Sequence, residues 1–218
     1  GSGLQAIIAA AQSILLGDCE IALGAGAEIM SRAPYFAPAV RWGQKMGEAA
    51  LVDGLTGALT DPFQAIHMGV TAENVAARYG ISREAQDNLA LESQRRAAHA
   101  IAEGYFREQI APVDIIAQRK PVTFDTDEYV RTNAGPEDFA KLKPVFQKDG
   151  TVTAGNSSGV NDGAAALLMM SKEKAIELNL KPKLRWIASN VAGVDPGVMG
   201  YGPVPATKKL LARQRNDR

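Results

Sequence analysis

Thiol and imidazole side chains are few in this 218-residue chain: one cysteine, Cys19, and two histidines, His67 and His99. A lone cysteine forms no internal disulfide, and its presence without partners fits a reducing compartment. The histidines lie far apart, with no Asp or Glu at ligand spacing, so a zinc site has no support and no metal is expected. The backbone offers chemistry as well. The opening residues GSGLQAI place a Gly-rich turn before an amphipathic segment. That puts free N–H groups and the positive end of a helix dipole at the first residues. Such an end stabilises an oxyanion or lowers the pKa of a nearby thiol. A Gly-Ser-Gly start is also what a linker leaves behind, and the residues alone leave both readings open.

Two further stretches invite close approach by a ligand. His67, Met68 and Gly69 stand just before a helix predicted to start near Thr71. His67 is there either as a packed residue or as a functional group, whereas His99 falls on a polar helix and reads as exposed. TVTAGNSSGVNDG, residues 151–163, is built of small residues, as a backbone passing close beside a ligand requires. It lacks the Gly-Lys-Ser/Thr of a phosphate-binding P-loop and the glycine spacing of a dinucleotide fingerprint. The Gly- and Pro-rich GVDPGVMGYGPVPATKK, residues 193–209, reads as a structural connection before a last helix.

These pieces need elements to hold them. Leu4, Ile7, Ile8, Ala11 and Leu15 recur at helical spacing and Gly17-Asp18 stop the pattern, predicting a helix of about four turns. CEIALGAGAEIM then reads as a buried strand. From Ser31 to about Thr151 the character changes to a Pro- and aromatic-rich run followed by two charged helices, one over TAENVAARYG and one opened by Ser82 as N-cap, with their charges mostly on solvated faces. AAALLMMS reads as a second buried strand and KEKAIELN as a helix. KPKLRWIASNVAGVD reads as a further strand, and Pro203–Arg213 as an amphipathic helix. Helix alternating with strand makes the class α/β, interrupted by a large, mostly helical insertion.

Composition bounds the partners. Lys+Arg and Asp+Glu balance at 24 each, so no net field draws the chain to nucleic acid or to an anionic membrane. The apolar stretches are shorter than the roughly 20 residues that span a bilayer. At 46% hydrophobic and 22% charged, the composition is that of a folded globular chain.

In order along the chain, GSGLQAI, GAGAEIMSRAPY, LTDPF, HMGVTAENVAARYGISREAQD, FDTDEYVR, KLKPVF, DGTVTAGNSSGVNDGAAALLMMS and AGVDPGVMGYGPVPAT closely resemble the thiolases, and among them the acetyl-CoA acetyltransferase or β-ketothiolase branch. The resemblance reaches to about Leu211. It implies a layered α/β thiolase fold, incomplete here, with residues 1–31 from the later part of the N-terminal half. Residues 32–151 would form the loop domain, 152–180 the return to the N-terminal half, and 181–218 the start of the C-terminal half. It also implies acyl transfer between coenzyme A thioesters, which are substrates, so that no separate cofactor is needed. The nucleophilic cysteine would stand just before Gly1 and the acid/base cysteine and histidine beyond Arg218, leaving no catalytic residue within the chain and the chain alone inactive.

What the resemblance assigns to this chain is binding. His67 and Met68 match the pantetheine and acyl contacts, Arg131 a contact to the nucleotide phosphate, Phe146 and Ala154 pocket walls, and Ser158 a partner of the pantetheine arm. Asp138 departs from the serine that touches the adenine side in some relatives. A homo-oligomer is implied for the full-length form, and a bacterial cytoplasm, with mitochondrion and peroxisome as alternatives. A second reading is a non-catalytic, thiolase-like subunit that binds coenzyme A or acts as a scaffold.

Overall fold

The computed structural model describes residues 1–216. In chain order the elements are α1 (Ser2–Leu16), β1 (Ile21–Ile29), β2 (Tyr35–Phe36), β3 (Val52–Asp53), α2 (Gly54–Ala58), α3 (Met68–Tyr79) and α4 (Arg83–Ala102). They continue with β4 (Val113–Ala117), β5 (Lys120–Phe124), α5 (Pro136–Ala140), β6 (Asp162–Met170), α6 (Lys172–Glu177) and α7 (Pro203–Asn216). The chain divides into two units, residues 1–61 with 160–218, and residues 62–159.

In the first unit β1 and β6 pair antiparallel over their whole length, from Ile21 opposite Met170 to Ile29 opposite Asp162. α1 lies on one face of this ribbon, and Gly24 makes the approach possible: a Cβ there would sit 3.0 Å from Ile7 Cα. Ile8, Ala10 and Ala11 of α1, Ala175 of α6 and Val198 form the buried apolar set of this unit. Gly17, at φ 81°, ends α1 by donating its N–H to the Ile14 carbonyl. At the far end of the ribbon Ser31 donates both its N–H (2.9 Å) and its hydroxyl (2.5 Å) to the Asp162 carboxylate. Those donors hold the Asp162 carboxyl below its ordinary range.

Three expectations are corrected. β1 and β6 are strands but not buried ones: the face away from α1 carries Leu23 and Leu168, 64% and 61% exposed, because nothing among the described residues covers it. Residues 181–195, read as a strand, run without a strand partner among the described residues, and apolar content alone does not close a ladder. α3 starts at Met68, ahead of Thr71, because the imidazole of His67 supplies the N-cap.

The second unit is helical with one hairpin, β4 against β5, turned by Gln118 and Arg119 at positive φ. Ser82 caps α4 through the Ala85 N–H at 3.1 Å, as its position predicts. The buried set here is half polar: Ala76, Phe139 and Val152 are joined by Thr71, Glu73 and Thr153. Among the described residues, no helix is long and apolar enough to cross a membrane.

Candidate functional site

A polar loop needs fixed partners if it is to hold one conformation. The loop at residues 151–158 finds them on two helices of its own unit. Glu73 of α3, only 5% exposed, accepts from the N–H and hydroxyl of Thr151, each at 2.9 Å, and from the N–H of Val152 at 2.8 Å. Burial pushes the Glu73 carboxyl up, but these donors outweigh it and hold it below the ordinary carboxylate range.

From α4, Asp87 accepts the Asn156 amide at 2.9 Å, and Gln86 donates to the Thr151 hydroxyl at 2.9 Å. Asn156 ties the loop to itself, accepting the Thr153 N–H at 2.8 Å and donating to the Thr151 carbonyl at 3.0 Å. Arg83 completes the set. Its guanidinium meets Asp87 at 2.6 Å and donates to the carbonyls of Phe139 and Leu142, at 2.7 and 3.0 Å. Arg83, Asp87 and Gln94 share one side of α4 by their spacing. Arg83 and Asp87 are therefore not on the solvated face expected of this helix, whereas Arg95 and Arg96, paired to Glu92 at 2.6 Å, are exposed.

The expected binding residues fall in two groups. His67 and Phe146 stack, with ring centroids 4.8 Å apart and planes within 17°. The Nδ1 of His67 accepts the Gly69 N–H at 3.0 Å, so the ring carries its proton on Nε2. Met68 follows as the first residue of α3 and is half-buried. Gly69 suits its place because the Phe146 ring occupies the space where a Cβ would stand.

The second group borders a cleft of about 370 Å³ lined by Leu89, Ser93 and Gln94 of α4, Tyr129, Asn156 and Ser158 among others. Arg131 is attached to it, its N–H donated to the Gln94 amide oxygen at 2.8 Å and its side chain exposed. Ala154 is exposed on the loop, and neither it nor the His67, Met68 and Phe146 group lines the cleft. Asp138 is turned to its own helix: it accepts the Gly135 N–H at 3.0 Å, which lowers its carboxyl, with Lys141 3.6 Å away.

Glu73, Asp87, Gln94 and Asn156 escaped the sequence reading. The spacing of 83, 87 and 94 on one helix side was the available signal; nothing local announces Glu73, whose partners lie 78 and 79 residues on. Cys19 lies between α1 and β1, partly exposed. Among the described residues, no three His, Cys, Asp or Glu cluster as metal ligands would.

The family described as "Thiolase, N-terminal domain" matches residues 1–173. Beta-ketothiolase BktB of Cupriavidus necator is 61% identical over 214 residues, 98% of this chain and 54% of the relative. Among solved structures, the acetyl-CoA acetyltransferase of Bacillus anthracis superposes with a TM-score of 0.91 at 48% identity, over 95% of this chain and 53% of that one. Human mitochondrial 3-ketoacyl-CoA thiolase in complex with CoA superposes with a TM-score of 0.87 at 44% identity, over 95% and 52%. The chain thus spans about half the length of the relatives it matches.

Proposed function

The chain belongs to the thiolase family, and on that premise we propose that it serves acyl transfer between coenzyme A thioesters, forming or cleaving a 3-ketoacyl-CoA, with these 218 residues supplying acyl-CoA binding. The observation that carries this reading is the cleft beside α4, where Ser158, on a loop tied at Thr151, Val152 and Asn156, faces the same space as Gln94, which in turn holds the backbone of Arg131.

In this reading Ser158 offers its hydroxyl to an amide of the pantetheine arm. The exposed Arg131 guanidinium meets the nucleotide phosphates as a charge-assisted pair. The stacked His67–Phe146 rings, with Met68, form a wall for the acyl portion, and Ala154 leaves room beside it. The Nε2–H of His67 is left as a donor by the Gly69 contact. α1 has no side-chain cap at Gly1, so its first N–H groups and dipole are available to an adjacent anion. Transfer itself needs a nucleophilic thiolate, a base and a proton donor brought together. In this reading those groups come from outside residues 1–218, and the chain by itself binds without turning over.

The test is an assay of acetoacetyl-CoA thiolysis on three proteins, with calorimetric titration of coenzyme A into each. They are the chain alone, the chain extended upstream through the expected cysteine and its strands, and that protein carrying a relative's C-terminal portion. Binding is expected in all three and turnover only in the third. Thiolysis by the chain alone, or no heat of binding from any of them, overturns the reading.

A further inference from the structure

The loop bearing Ala154 and Ser158 has two anchors, and they differ in kind. Glu73 grips its first residues, Thr151 and Val152, from beneath. Asp87 grips its middle, through Asn156, beside the cleft that Ser158 lines. Asn156 stands two residues before Ser158, and its three hydrogen bonds use both ends of its amide. Rotation of that amide is therefore blocked, since a flipped Oδ1 would face the Asp87 carboxylate. Asp87 is itself held: Arg83 takes its other oxygen at 2.6 Å, and the guanidinium is fixed by two backbone carbonyls. With its side chain 16% exposed, Asp87 reaches Asn156 but does not line the cleft.

We propose that Asp87 is a positioning residue for substrate: held by Arg83, it sets the Asn156 amide and through it the placement of Ser158 at the cleft. The inference rests on the acyl-CoA reading given above. It predicts that the pair matters by its donor–acceptor sense and not by its bulk. Asn156→Asp sets two carboxylates against each other and releases the middle of the loop. The exchange Asp87→Asn with Asn156→Asp restores a donor facing an acceptor and keeps an oxygen for Arg83. It also leaves the new carboxylate at position 156 an oxygen for the Thr153 N–H, while the Thr151 carbonyl loses its donor, so the exchange restores two of the three Asn156 contacts.

The experiment is a calorimetric titration of coenzyme A into the 218-residue chain, wild type, N156D and the double exchange. Amide hydrogen exchange of residues 151–158 and a thermal melt accompany each titration. The wild type is expected to bind; N156D is expected to bind about ten- to a hundredfold more weakly, the scale of one lost hydrogen bond to a charged group. Faster exchange at 155–158 should accompany that loss, and the double exchange, in which only the Thr151 carbonyl stays without its donor, should recover part of both. Unchanged affinity in N156D, or a double exchange that binds no better than N156D while its melt is native-like, overturns the positioning role. If N156D fails to fold, the double exchange decides alone: a native-like melt with measurable coenzyme A binding supports the role, and a native-like melt with none sinks it. A wild type that binds no coenzyme A overturns the acyl-CoA reading and this inference with it, a result distinct from binding that ignores the pair.

Discussion

The rings of His67 and Phe146 lie face to face at 4.8 Å, and the edge of that stack fills the space where Gly69 would carry a Cβ. One contact therefore fixes the cap of α3, the wall it presents and the identity of its second residue.

Glycine-to-alanine changes inside helices ordinarily stabilise by up to about 1 kcal/mol. Gly69→Ala should do the opposite and cost roughly 1–3 kcal/mol, because the new methyl displaces the Phe146 ring. Denaturant unfolding will measure it. The pair Gly69→Ala with Phe146→Ala should cost less than the sum of the two single changes; strict additivity would show that the two positions do not touch.

Glu73→Ala removes the acceptor from the Thr151 and Val152 N–H groups and should destabilise by about 2–4 kcal/mol. Glu73→Gln, which keeps one acceptor oxygen, should cost less. Because the folded carboxyl titrates below its unfolded value of 4.5, its contribution is present above that pH and is lost as pH falls through the lower folded value. Wild type and Glu73→Ala should thus converge in stability on acidification. A gap that stays constant from neutral pH to well below 4.5 would contradict the assignment.

Glu92 makes the converse case. Hydrogen bonds from Arg95 and then Arg96 pull its carboxyl down to about 2, farther than the ordinary range, yet all three side chains are at the surface. Water and salt screen such pairs, so Glu92→Ala should leave the melting temperature within error. A melting shift as large as that of Glu73→Ala would mean that the surface triad is structural.

The open face of the β1–β6 ribbon sets Leu23 beside Leu168 and Ile21 beside Met170. Exposed apolar strands associate. The isolated chain should therefore sediment as oligomers, and Leu23→Lys with Leu168→Lys should shift it toward monomer without changing its helix content. A monodisperse monomer for the unaltered chain in light scattering would remove this face as the cause.

How much of this was readable beforehand follows the range of each interaction. Ser82 at the start of α4, Gly17 at the end of α1 and the amphipathic run into α7 are local signals, and each element stands where its signal puts it. Residues 181–195 carry β-prone apolar side chains such as Trp186, Ile187 and Val191, but a strand exists only through a partner, and sequence periodicity cannot supply one. β1 and β6 were legible as strands and misread as buried, since an apolar run states what a segment avoids, not what covers it. The family motifs marked His67, Phe146 and Ser158 as binding residues. They gave no hint that Asp87 and Glu73 tie the loop between, because hydrogen bonds spanning 69 and 78 residues leave no trace in local spacing.

α4 makes its contacts from one side: Arg83 toward Phe139 and Leu142, Asp87 toward Asn156, Gln94 toward Arg131. A helix with three such tethers acts as a gauge block whose length sets the spacing of everything fastened to it. One residue inserted between Asp87 and Gln94 would advance the far end by about 1.5 Å and turn it by roughly 100°, parting Gln94 from Arg131 while Asp87 kept its hold. Length change between Asp87 and Gln94 should therefore be refused by the helix.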